Sequence, residues 1–197
     1  MQSILISVPT FESIEPGTFK SIYGLAKPDG FNVLFDFTKG YDCARARNLI
    51  AKEAVQYNFD YVLMVDSDVI LPANTLTVLL AAQKDIIFGW YPRKGTVVGQ
   101  TELFALGHKD FVNENNINMK DVTGSEPVEI KGGGMGCALI KVSIFNTLKY
   151  PWFRYVEYDD GSVLSEDNYF CSQVTSIGYK VFYHPGIRCS HVSKVLL

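Results

Sequence analysis

The sequence predicts an α/β fold, a doubly wound and mainly parallel sheet with a small antiparallel flap. Three observations lead to it. Apolar runs of strand length alternate with helically spaced segments through residues 1–90, with no linker between them. No internal repeat or low-complexity tract breaks the pattern. Asp66 and Asp68 follow directly on one apolar run, where an open α/β sheet has its ligand-binding carboxyl edge.

The elements follow in order. Ser3 to Val8 is the first strand, stopped by Pro9 and Thr10. Glu15-Pro16-Gly17 opens a helix through Phe19, Ile22, Tyr23 and Ala26, with proline in the first turn, where its missing N–H is harmless. Phe31 to Phe37 returns to strand. Asp42 caps a helix reaching Tyr57, in which Ala46, Leu49, Ile50, Ala54 and Val55 keep helical spacing. Tyr61 to Val65 is a strand, Pro72 to Ala82 a helix and Asp85 to Phe88 a strand. Between Tyr91 and Lys131 only short β-like pieces remain, Val97-Val98 and Leu103 to Leu106, with a polar stretch from Asn113 to Asn118. Loops and the antiparallel flap are expected there. Glu129 to Ile140 encloses Gly132-Gly-Gly-Met-Gly136; Val142 to Leu148 and Ser165 to Ile177 read as helices, and Tyr179 to Tyr183 as the last strand.

Composition narrows the function. With 47% hydrophobic residues in 197, one core is expected, and so one domain over 1–197: a nucleotide-binding half (1–90) and an acceptor-side half (91–197). A net charge of −3 with no basic stripe excludes nucleic acid as a partner. Cys43, Cys137, Cys171 and Cys189 form no C-x-x-C pair, no leader precedes the first strand, and the apolar runs fall short of the roughly 20 residues of a transmembrane span. The expectation is a cytoplasmic protein that can visit a membrane face.

Chemistry concentrates in the acids. A nucleoside diphosphate is held against an acidic protein by a hard divalent cation that bridges carboxylate and phosphate oxygens, and Asp66 and Asp68 suit that role with Mg²⁺ or Mn²⁺. The competing use of such a pair is local hydrogen bonding in a turn. Gly132 to Gly136 lacks side chains where a sugar ring or another backbone comes close. It suits the floor of a donor pocket, or equally a bulge, and no Gly-Lys-Ser/Thr closes it into a phosphate loop.

Five segments together resemble GT-A-fold glycosyltransferases, family 2 in particular. Val65-Asp-Ser-Asp-Val-Ile-Leu-Pro72 is similar to their strand-end D-x-D segment, and Ile6-Ser-Val-Pro-Thr10 to their first strand and nucleotide loop. Cys43-Ala-Arg-Ala-Arg-Asn48 resembles their Arg-Asn helix opening, Gly133 to Ile140 their donor-sugar segment, and Ser165-Glu-Asp-Asn-Tyr-Phe170 their acidic acceptor-side motif. The resemblance implies a nucleotide-diphospho-sugar transferase fold, Mn²⁺ or Mg²⁺, a nucleotide-sugar donor (a UDP-sugar favoured), and a saccharide, lipid-linked or protein acceptor. It implies donor contacts from Pro9, Thr10, Glu12, Asp66, Ser67, Gly133 and Gly134, metal ligands Asp66, Asp68 and His191, and Asp167 as general base with Glu166 second. The paired acids usual after the second strand are missing, which leaves Asp36 for base recognition.

Each assignment has a competing reading. Glu166 and Asp167 can serve as first-turn acids that favour a helix N-terminus, with Ser165 as its cap. His184 competes with His191. Arg45 and Arg47 suit diphosphate oxygens or a solvated helix face, and Arg45 is the one carried forward. Trp90, Tyr91, Trp152 and Tyr155 can stack on sugars or fill the core. Against the inverting transferase stand a retaining transferase on the same site and a non-catalytic nucleotide-sugar or carbohydrate-binding module.

Overall fold

The computed structural model describes residues 1–94, 99–107, 111 and 115–193. Along the chain run β1 (Gln2–Thr10), α1 (Pro16–Tyr23), β2 (Phe31–Lys39), α2 (Cys43–Gln56), β3 (Tyr61–Val65), β4 (Val69–Ile70), α3 (Thr75–Ala81) and β5 (Ile86–Trp90). The second half holds β6 (Gln100–Phe104), β7 (Asn116–Asn118), β8 (Val128–Ile130), β9 (Gly132–Gly133), β10 (Cys137–Lys141), β11 (Val156–Glu157), β12 (Val163–Leu164), α4 (Glu166–Ser176), β13 (Val181–Arg188) and β14 (Ser190–His191).

Seven strands form the main sheet in the order β2-β1-β3-β10-β5-β13-β8. β2, β1, β3, β5 and β13 run one way, and β10 and β8 run against them. Strand alternation divides the core. Leu5, Met64 and Phe88 face α2 and α4, where Phe145, Phe153 and Phe170 are fully buried. Ile4, Ile6, Leu63 and Ile87 face α1 and α3, meeting Ile22, Leu76 and Leu79. Phe153 stacks on Phe170 at 4.9 Å, and truncating either ring would cost about 3–5 kcal/mol.

Local chemistry explains the element boundaries. Pro16 occupies the first turn of α1, and Asp42 caps α2 by accepting from Arg45 N at 3.0 Å. The helix expected from Pro72 starts only at Thr75, because Pro72 to Thr75 closes a turn in which Thr75 donates to the Pro72 carbonyl. Val142 to Leu148 is a 3-10 segment over Val142–Asn146 rather than a helix. Ser165 makes no side-chain cap, because its hydroxyl donates to Asp167 instead. The strand expected over Tyr179 to Tyr183 is β13, which runs on to Arg188 with a register break between Tyr183 and Arg188, a stretch that includes Pro185, which has no N–H to give the ladder.

The flap is the three-stranded sheet β7-β6-β9. Val97-Val98 and Asn113-Glu114 lie outside the described residues, whereas Asn116–Asn118, expected as loop, is strand. Buried Asn116 donates to Thr101 O and Leu103 O and accepts from Arg93 at 2.8 Å, so its polarity is satisfied in the ladder. β4 and β14 pair beside it, with His191 opposite Val69.

Candidate functional site

The strand directions gather the functional segments at one edge. β1, β3, β5 and β13 all end there, and β10 begins there, with Cys137 opposite Val65. The glycine segment therefore arrives beside the aspartates, and Asp66 N donates to Gly136 O at 3.2 Å. A cavity of ≈ 440 Å³ opens at this edge between Thr10 at the end of β1, Glu12, Ser13 and Glu15 after it, Ser67 and Asp68 after β3, Lys94 after β5, and Val192 after β14.

Arg47 is the electrostatic centre of the acids at this edge. On α2 it shares the inward face with Ala44, Ala51 and Ala54, and it is 3% exposed. Its Nη2 lies 2.8 Å from Asp66 Oδ1 and its Nη1 pairs with Glu166 Oε1. Burial works against the guanidinium charge, but Asp66 and Glu166 more than offset it and hold it firmly protonated. Glu166, itself 5% exposed, is pushed upward by burial against the pull of Arg47. Asn48, the next residue, accepts from the backbone N–H of Trp152 and Phe153 and donates to Phe153 O at 2.6 Å. The Arg-Asn pair thus ties α2 to both halves of the chain.

Asp68 stands at the cavity wall. Its Oδ2 pairs with the Lys94 ammonium, and its Oδ1 is 3.5 Å from His191 Nε2. The hydrogen bond from His191, then that from Lys94, holds its carboxyl down to about 2 despite partial burial. His191 is packed edge-on to Tyr91, with ring centroids 5.0 Å apart. Its Nδ1 is 2.9 Å from the Pro92 carbonyl, an acceptor, so Nδ1 donates there and fixes the ring with Nε2 facing Asp68.

Asp167, half-buried on the first turn of α4, accepts from Ser165 Oγ and from Asn168 N at 2.7 Å, so its carboxylate direction is fixed.

The remaining expected residues divide. Thr10, Glu12 and Ser67 line the cavity, and Pro9 sits in β1 opposite Thr38. Asp36 does not reach it. It lies mid-strand opposite Ser7, near enough to Glu53 to raise that carboxyl after burial does, while Lys39 holds the level of Thr10. Arg45 is exposed and stacks over Tyr41 at 4.6 Å, because two residues along a helix turn it away from Arg47. His184 accepts from Gly186 N on β13, away from Asp68.

Gly133 and Gly134 are not among the residues that line the cavity. Leu103 and Glu102 pack on the first and the Tyr91 hydroxyl on the second. Trp90, Tyr91 and Trp152 are core rings, with Trp90 Nε1 donating to Pro185 O and Trp152 Nε1 to Phe145 O. Arg47 and Lys94 are the residues whose roles sequence reasoning did not single out. Arg47 carried a signal, since it interrupts a stripe of small apolar residues at helical spacing.

By sequence the chain matches no protein-family model and no curated protein. By structure it is similar to A197 from STIV, with a TM-score of 0.67 and 17% identity over 98% of this chain and 87% of that one. It is similar to GalNAc-T7, solved with UDP, GalNAc and Mn²⁺, with a TM-score of 0.63 and 14% identity over 99% of this chain and 44% of that one. S. aureus TarS 1-349 in complex with UDP-GlcNAc gives a TM-score of 0.57 and 14% identity over 99% of this chain and 60% of that one. The fold is the GT-A glycosyltransferase fold. This chain thus spans about half the length of the solved GalNAc-T7 and TarS 1-349 chains. No described helix is long and apolar enough to cross a membrane.

Proposed function

We propose that the chain is a metal-dependent glycosyltransferase, similar to family 2, that moves a sugar from a nucleoside-diphosphate sugar, a UDP-sugar favoured, to an acceptor hydroxyl with inversion. The observation that carries this reading is the approach of His191 Nε2 to Asp68 Oδ1, at 3.5 Å, with Asp68 on the wall of the carboxyl-edge cavity.

The donor set fits a divalent cation. Among the described residues no three His, Cys, Asp or Glu side chains converge into a cage. A carboxylate and an imidazole with its far nitrogen tied back suit Mg²⁺ or Mn²⁺, which fills its other positions with water and phosphate oxygens. Bound there, the ion would supply charge neutralisation to a departing diphosphate. Thr10, Glu12 and Ser67 line the space for the nucleotide. Arg47 acts through others: it orients Asp66 and Glu166, while Asp167, aimed by Ser165 and Asn168, accepts the proton of the acceptor hydroxyl. Residues 1–90 form the nucleotide side in this reading and residues 91–197 the acceptor side.

Thermal unfolding with UDP, GDP, CDP and dTDP, each with Mn²⁺, Mg²⁺ or chelator, tests the proposal. A metal-dependent rise in Tm with one nucleotide, lost in Asp68→Asn, is expected. Equal Tm in every condition would overturn it.

A further inference from the structure

β2 is an end strand of the main sheet, and among the described residues nothing pairs with its outer edge. Such an edge is usually blunted by proline, a bulge, short length or inward charge. β2 has none of these. It spans nine residues without proline, keeps an unbroken register with β1 from Phe31 to Lys39, and carries only Asp36 and Lys39 as charges.

The side chains flanking that edge are apolar and open. Phe35 lies 6.1 Å from Phe19 of α1 and 6.4 Å from Phe37, ring centroid to centroid. Phe19 is 47% exposed, Phe37 53% and Tyr23, one helical turn from Phe19, 85%. Leu34 is 44% exposed on the opposite face of the strand. At ~200 Å² per aromatic side chain, the patch exposes on the order of 500 Å² per copy.

We propose that two copies of this chain pair through β2, antiparallel about a two-fold axis at Phe35. An axis normal to the sheet keeps like faces together, so each residue meets one of its own face. Centred on Phe35, all nine residues find partners: Phe35 meets Phe35, Leu34 meets Asp36, Val33 meets Phe37, Asn32 meets Thr38 and Phe31 meets Lys39. No like charges are opposed. Any other centre pairs fewer residues, and a centre at Asp36 sets two carboxylates face to face. Both α1 helices then lie on one side of the joined sheet, so Phe19 and Tyr23 widen the contact. Two patches together reach about 1,000 Å² from side chains alone, the size at which specific interfaces begin. The inference does not depend on the catalytic reading.

Sedimentation equilibrium of the whole chain over a concentration series tests it. Wild type should form a species of twice its 22.0 kDa mass. Phe35→Lys, which opposes a charge to its own copy at a partly exposed position, should weaken the dimer at least tenfold. Phe19→Lys, on the helix surface, should weaken it without touching the strand. Leu34→Lys, opposite the partner's Asp36, should leave it intact. A monomer into the high-micromolar range, or a dimer indifferent to both Phe35→Lys and Phe19→Lys, would overturn the proposal. So would a monomer that sediments with phosphatidylcholine–phosphatidylserine vesicles through the same phenylalanines, since that assigns the patch to a membrane surface.

Discussion

Arg47 Nη2 sits 2.8 Å from Asp66 Oδ1, with the guanidinium almost wholly buried. Since its other arm holds Glu166, removing Arg47 leaves a buried Glu166 and a partly exposed Asp66 without their counter-charge. Arg47→Met is expected to destabilise the fold by about 3–5 kcal/mol in urea unfolding. Arg45→Met, losing only an exposed contact with Tyr41, should cost at most about 1 kcal/mol. Equal costs would contradict the division of labour between the two arginines.

The neighbours Glu166 and Asp167 should fail in different ways. Glu166→Gln weakens the ion pair that Arg47 makes, so its loss appears as stability. Asp167→Asn leaves that pair untouched and should lower transfer by about 10²–10⁴-fold while nucleotide affinity stays within a few-fold. The check is nucleotide titration by calorimetry beside single-turnover transfer. Wild-type transfer in Asp167→Asn would remove it from the base role.

Much of this was legible in the sequence. The strands and helices of residues 1–90 announce themselves because strand and helix periods differ and Pro9, Pro16 and Asp42 punctuate them. The meeting of Asp66, the glycine segment and His191 at one edge follows from strand direction, which periodicity does not encode. β10 runs antiparallel between β3 and β5, and that alone brings Gly136 onto Asp66. Arg47 was visible yet outranked by Arg45, since a buried arginine reads as a charge until its acids are located. The strand at Asn116 could not be read at all: Asn116-Ile-Asn118 becomes strand only because Thr101, Leu103 and Arg93 satisfy the buried asparagine.

Asp68 provides a pH test. Its folded-state carboxyl is held at about 2, below the ordinary 3.8, so its contribution to stability is present above pH 3.8 and disappears as pH falls toward 2. In Lys94→Met one source of that depression is gone. The carboxyl should titrate higher by NMR, and acid unfolding should begin at higher pH. The same variant removes the ammonium that occupies Asp68 Oδ2, so Mn²⁺ affinity should rise by up to about fivefold, the worth of an exposed ion pair. Free Mn²⁺ measured by EPR reports it, and unchanged affinity would show that Lys94 and the metal do not compete.

The glycine segment decides between a sugar-pocket floor and a packing surface, and Tyr91 allows the choice to be measured. A Cβ at Gly134 would meet the Tyr91 hydroxyl oxygen at 2.5 Å, whereas one at Gly136 would meet that oxygen and Tyr91 Cζ, both at 2.8 Å, and Val69 Cγ2 at 2.9 Å. Each alanine should therefore cost about 1–3 kcal/mol through overpacking. Tyr91→Phe removes the hydroxyl that accepts from Gly136 N, at about 1 kcal/mol. The two alanines then part company in double-mutant cycles. Gly134→Ala with Tyr91→Phe should cost less than the sum, because the clashing oxygen is gone. Gly136→Ala with Tyr91→Phe should show much less relief, since the ring carbon and Val69 remain. Urea unfolding of the six proteins reads both cycles. If Gly134→Ala left stability intact and weakened only donor binding, the segment would be a pocket floor after all, and the fit of Tyr91 against it would be incidental.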